Sequence, residues 1–212
     1  MKAQQEETTP LSKRALQKEI RCNEIIEAGL LEFAAQGFTS TKLDAVAERA
    51  GVAKGTIYLY FDSKERLFEA VVRKNLSPEN ILTNENIAEY TGSMTELLSQ
   101  HLREMYTVLH SQNIPALVAI VMGEVNRFPK LVDFFFNEMV SKKQGSFHTI
   151  IERGIANKEF IESGIENYIQ ILISPAIMSA IWNLQFENHA PLDVDEYAQV
   201  HIDFVLRGLG VK

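Results

Sequence analysis

A chain of 212 residues that is 46% hydrophobic can bury a real core, which excludes disorder as its main state. Its 21 Lys and Arg against 28 Asp and Glu give a formal charge of -7, which excludes a protein that coats nucleic acid indiscriminately. The single cysteine, Cys22, excludes an intramolecular disulfide and a cysteine zinc cluster and points to a reducing, cytoplasmic setting. No stretch has signal-peptide character, and runs such as ALVAIVMG at 116–123 are too short to cross a bilayer. The charge is uneven: residues 1–74 hold 12 basic and 11 acidic side chains, residues 75–212 hold 9 and 17. That split suggests two modules, of which the first can approach phosphate.

Residues 1–12, with Pro10, read as a flexible tail. From Lys13 on, Leu16, Ile20, Ile25, Ile26, Leu30 and Phe33 recur at helical spacing until Gly37 ends the run. Gly29 inside this helix costs about 1 kcal/mol relative to Ala, which predicts close packing against a neighbour. Thr39-Ser40-Thr41 with Asp44 predicts a capping box opening a short helix that buries Leu43, Val46, Ala47 and Ala50 and stops at Gly51. A second short helix follows over 54–60, and Asp62-Ser63-Lys64-Glu65 caps a third that runs to about Asn75. Pro78 marks a boundary, dividing the chain into a tail (1–12), a helix-turn-helix domain (13–76) and a regulatory domain (77–212). Beyond an unassigned stretch, helices are predicted over 93–110, 115–126, 129–156, 165–187 and 194–208. Pro115 and Pro129 sit in first turns, while Pro175 falls inside a helical run and predicts a kink. With no alternating strand segment, the fold class is all-α.

Two short helices joined by a tight turn, with Ala47 four residues before Gly51 and Val46, Val52 and Ile57 around them, meet the packing demands of a helix-turn-helix. In that motif the second helix enters the major groove and its neighbours grip phosphate. Lys54, Gly55 and Thr56 open the recognition helix, Tyr58 and Tyr60 offer hydroxyls to phosphate, and Thr41, Lys42 and Lys64 stand at helix starts suited to phosphate. Lys42, Arg49 and Arg66 are equally consistent with solvated surface charge, and Tyr60 with partial burial on the first helix.

The stretch AGVAKGTIYLYFDSKERLF, preceded by IIEAGLLEFAAQGFTSTKLDAVAER, resembles the DNA-binding domain of the TetR/AcrR family of bacterial transcriptional regulators. The resemblance covers residues 18–68 and departs at Ala53, where the family often has Ser or Thr, at Leu59, often His, and at Gly29, often Ala. It implies an all-helical homodimer that binds a palindromic operator, with a small-molecule pocket in the C-terminal domain and a dimer interface on its last two long helices. GEVNRFPKLVDFFFNEMV is also similar to a segment of the family's regulatory domains.

Met105, Tyr106, Met122, Phe135, Met139, Tyr168, Met178, Trp182 and Phe186 are candidate pocket residues, although at helical spacing such side chains also serve as plain core. Trp182 is preferred, because its indole N–H needs a partner. Ile173, Ile177, Ile181 and Phe204 are candidates for the dimer interface or the core. Glu124 ends an apolar helix and could meet a cationic ligand, although exposure or an arginine partner is the stronger expectation. Cys22 reads as a small, partly buried residue, with redox sensing as an alternative that requires a lowered thiol pKa. The five histidines show no metal-ligand spacing, and no catalytic motif or cofactor loop is present, so neither metal, cofactor nor enzymatic activity is expected. The sequence thus points to a cytoplasmic, ligand-responsive repressor that takes a small apolar or amphipathic effector and has no membrane partner. The alternatives are an activator, a regulator controlled by a partner protein, or a helical enzyme or carrier.

Overall fold

The computed structural model describes residues 13–76 and 84–211; the tail at 1–12, Pro78 and the boundary around it lie outside the described residues. Eleven α-helices and no strand occur among the described residues.

Helix α1 (Lys13–Ser40) is broken at Gly37, whose φ of 75° and ψ of 169° lie where only glycine is comfortable. Its burial begins at Ile25; Leu16 and Ile20, predicted to share the buried stripe, are half exposed. Helix α2 (Leu43–Arg49) turns through Gly51, at φ 64°, into α3 (Lys54–Ile57), which is one turn long and continues as turns to Tyr60. Helix α4 (Lys64–Leu76) packs along α1. A Cβ on Gly29 would touch the Leu67 side chain at 3.2 Å, which is why a helix-weakening residue occupies the middle of α1. Phe33, Phe38 and Phe68 form the aromatic centre of this unit.

The capping box is not formed. Lys42 is the α2 N-cap residue without a side-chain bond, and the Thr41 hydroxyl, 3% exposed, instead donates to the Glu32 and Gly37 carbonyls. Those are carbonyls left over where Gly37 breaks the α1 ladder, and a buried hydroxyl takes them in preference to solvent.

The second unit contains α5 (Asn84–Glu89), α6 (Met94–Leu109), α7 (Ile114–Gly123), α8 (Pro129–Phe135), α9 (Ser141–Ala156), α10 (Gln170–Phe186) and α11 (Val194–Gly208). Helix α6 is central, touching α7, α9, α10 and α11. The predicted helix over 129–156 carries a π turn, Phe136–Val140, between α8 and α9. The predicted segment 165–187 starts as a 3-10 turn, Ile165–Asn167, and α10 then continues across Pro175. Glu159 receives the Ser93 hydroxyl (2.6 Å) and Thr95 N–H (3.1 Å) at the start of α6. Burial opposes its ionisation, but these bonds outweigh it and hold its carboxyl at about 2.

Polar pairs lock α6 to the outer helices: Tyr106 Oη lies 3.0 Å from His201 Nδ1 on α11, and His110 Nε2 lies 2.9 Å from the Ser179 hydroxyl on α10. Burial lowers the pKa of both histidines from 6.5, so the unfolded chain takes up protons first. Their contribution is therefore complete above the ordinary value and declines as pH falls below it. Melting temperature should drop between about pH 7 and 5, and His201→Gln should flatten that slope; a flat wild-type profile would refute the assignment.

Candidate DNA-binding surface and effector cavity

The exposed edge of the helix-turn-helix carries Lys42, Lys54, Gly55 and Tyr58, with Leu59 80% exposed beside them. A Cβ on Gly55 would meet open space, so this glycine leaves room outside the protein and solves no packing problem within it. Lys54 Nζ is held 2.5 Å from Asp44 on α2, which orients the ammonium along the protein surface. Thr56, Leu59 and Tyr60 share a concavity with Arg14, Lys18 and Arg21 of α1. These three cations were missed as candidates; their three- and four-residue spacing, which sets them on one helical face, was the available signal.

Two predicted phosphate contacts have partners within the protein. The Thr41 hydroxyl is buried and bonded as described, so it cannot reach a phosphate. Lys64 Nζ donates to the Thr39 carbonyl (2.9 Å) and sits 4.7 Å from the Phe38 ring centroid, bracing the end of α1. Burial pushes the Cys22 thiol up, away from the thiolate that redox sensing requires.

The two units meet at the Gly37 break. Glu124, following α7, accepts the Phe38 N–H (3.3 Å), the Thr39 N–H (2.9 Å) and the Thr39 hydroxyl (2.8 Å), a use of this residue that neither exposure nor an arginine partner describes. Burial works against its charge, but the Thr39 and Phe38 bonds and nearby Arg127 favour it, leaving its pKa lowered. Phe128 stacks edge-on to Phe38 with centroids 4.7 Å apart. The N–H groups of Phe38 and Thr39, just past the Gly37 break, are thus satisfied by the regulatory unit.

An apolar cavity of about 240 Å³ opens between α4, α6, α7, α8, α9 and α10. Of the candidate pocket residues, Met105, Met122 and Phe135 line it. So do Ile173 and Ile177, which were assigned to the dimer interface or core. Val118 and Val121 of α7 complete one wall, and Gln144, Gln170 and Ser174 supply polar atoms. The π turn lies against this cavity, between Phe135 and Val140. Tyr106 is not on its wall, because its hydroxyl is drawn to His201. The Met139 side chain lies outside the described residues.

Tyr168, Met178, Trp182 and Phe186, predicted for the pocket, face outward. The Trp182 indole finds its partner in the Ala190 carbonyl (2.7 Å), outside the cavity. Ile171, Met178, Trp182 and Phe186 make an apolar face on α10, with Tyr168 just before it, continued on α11 by Val200 and by Phe204, 71% exposed. Steps of seven and four residues put each set on one side of its helix. Ile181, by contrast, is half-buried against the core. No single helix among the described residues is long and apolar enough to cross a membrane.

A helix-turn-helix with an open cationic edge, joined at the Gly37 break to a helical unit with an apolar cavity, defines a ligand-responsive DNA-binding regulator. Residues 25–71 match the family of bacterial regulatory proteins named tetR, and residues 96–207 match the C-terminal domain of AefR-like transcriptional repressors. The chain belongs to the TetR family of bacterial transcriptional regulators. It is 45% identical to the HTH-type transcriptional regulator YhgD of Bacillus subtilis over 195 residues, covering 89% of this chain and 96% of that one. It is 24% identical to the repressor KstR2 of Mycolicibacterium smegmatis, covering 89% and 90%. The fold is shared with the regulator FadR of Bacillus subtilis, solved with stearoyl-CoA: TM-score 0.73, 20% identity, 88% of this chain and 98% of that one.

Proposed function

We propose that this protein is a homodimeric repressor that leaves its operator when an apolar or amphipathic molecule enters the cavity. The observation that carries the reading is shared use of α7. Val118, Val121 and Met122 line the cavity, and Glu124, just beyond the same helix, holds the segment that leads into α2. An effector that prefers a shifted α7 moves the helix-turn-helix with it; one that binds both states equally does nothing. That one relative is a repressor, KstR2, and one fold neighbour, FadR, was solved with stearoyl-CoA supports an effector with a long apolar part.

The exposed face on α10 and α11 supports the dimer, since contiguous exposed apolar surface marks an interface and a two-fold pair doubles the contacts of one helix-turn-helix. Lys42, Lys54, Thr56, Tyr58 and Tyr60, with Arg14 and Lys18, are the proposed DNA contacts. Operator selection from a random duplex pool tests the function: an enriched palindrome is expected, and an unenriched pool counts against it. On that operator, Lys54→Ala should weaken binding across sequences and reduce the salt slope by about 1, whereas Tyr58→Ala should weaken binding with the slope nearly unchanged, because a phenol releases no counterion. Val121→Trp, which fills the cavity, should keep operator binding and lose effector release; retained release would move the effector site elsewhere.

A further inference from the structure

A second concavity, of about 820 Å³, runs between α4 and α8 beside the joint. Four cations line it, Arg66 and Arg73 of α4 with Arg127 and Lys130 around the start of α8, against two carboxylates, Glu65 and Glu69. In a chain of formal charge -7, that local excess of positive charge is unusual. Arg66 is engaged with Glu69 at 2.8 Å, which leaves Arg73, Arg127 and Lys130 as the groove's cations for a ligand. The Arg73 guanidinium lies 5.1 Å from the Phe134 ring centroid, a contact that holds its fork while keeping its donors free.

This groove adjoins the apolar cavity. On α4, Arg73 lines the groove and Leu76, one turn later, lines the cavity; on α8, Phe134 lines the groove and Phe135 the cavity. Among the described residues the cavity wall holds Gln144, Gln170 and Ser174 but no charged side chain, so an ion placed against them loses its hydration without compensation. A charged end on the effector must therefore sit outside, and the cationic groove is the adjacent place for it.

We infer that the effector is an amphiphile whose chain fills the cavity and whose phosphate-bearing head lies in the α4–α8 groove on Arg73, Arg127 and Lys130. This rests on the apolar-effector reading above and extends it. Three cations, on α4, on the turn before α8 and on α8, exceed what one carboxylate needs, and arginine forks match phosphate oxygens. The groove's walls belong to both units, so a head bound there bridges them. Arg127 is also the cation that favours ionised Glu124, so its engagement by the head changes the field at the joint.

Calorimetric titration of the full chain with dodecanol, dodecyl phosphate and dodecanoyl-CoA tests this. Dodecyl phosphate should bind at least about tenfold tighter than dodecanol, with the difference shrinking as salt rises. Arg127→Gln/Lys130→Gln should erase most of that advantage and leave dodecanol affinity unchanged, which also shows that the variant is folded. A further gain for dodecanoyl-CoA identifies a nucleotide thioester as the source of the phosphate; equal affinity identifies a simple phosphomonoester. Equal binding of dodecanol and dodecyl phosphate, or an unchanged advantage in the double variant, overturns the groove and leaves the cavity reading standing. Failure of all three probes to bind overturns both.

Discussion

Glu124→Ala should leave operator binding largely intact and uncouple it from the effector. The substitution strips acceptors from two backbone N–H groups and a hydroxyl at the end of α1, costing about 1–3 kcal/mol and lowering Tm by several degrees. Because α7 then no longer grips the segment entering α2, the effector's influence on operator affinity should shrink at least about fivefold, the lower end of usual coupling. Fluorescence anisotropy on labelled operator, with and without effector, reads this directly; an unchanged effector response would remove Glu124 from the coupling path. Gly37 gives an internal control. A Cβ there would lie 2.6 Å from Glu124 Oε1, and the backbone at φ 75° is strained for any other residue by about 1–3 kcal/mol. Gly37→Ala should therefore be strongly destabilising, and adding Glu124→Ala should cost less than the two changes separately, because the clash is then gone.

Met178→Glu/Phe204→Glu should convert the protein from dimer to monomer. Both side chains are more than half exposed on the apolar face of α10 and α11, so the charges harm no core contact and the monomer should melt as an intact fold. At an interface the same charges lose solvent without partners. Operator affinity should fall by about 10²-fold or more, the loss expected when two linked half-site contacts become one. Light scattering and anisotropy report the two effects together. A variant that stays dimeric would place the interface on another surface.

The cavity, groove and joint were legible to different degrees, for physical reasons. Val46, Ala47, Gly51 and Ile57 disclosed the helix-turn-helix because a tight turn between close-packed helices leaves little choice of residue at each step. Periodicity also recovered α11 over 194–208 and the start of α8 at Pro129. It failed on which side of α10 each residue faces. That helix is apolar nearly all round, so no stripe distinguishes Ile173 and Ile177, on the cavity, from Met178 and Trp182, on the outer face.

What the amino-acid sequence determined by itself is what local chemistry enforces: all-α architecture, the turn at Gly51, the close contact at Gly29 and a near-neutral DNA-binding end on an acidic chain. What only the tertiary structure decided is what depends on residues far apart in the chain. Glu124 meets Phe38 and Thr39 across 86 and 85 positions, and no spacing rule announces a carboxylate that caps someone else's helix. Thr41 left its expected cap for a more local reason, since the break at Gly37, four residues earlier, offered its hydroxyl buried carbonyls in place of the N–H groups of α2. Local patterns carry the hydrogen bonds a helix makes with itself; the bonds at its ends are filled by whatever the fold brings there.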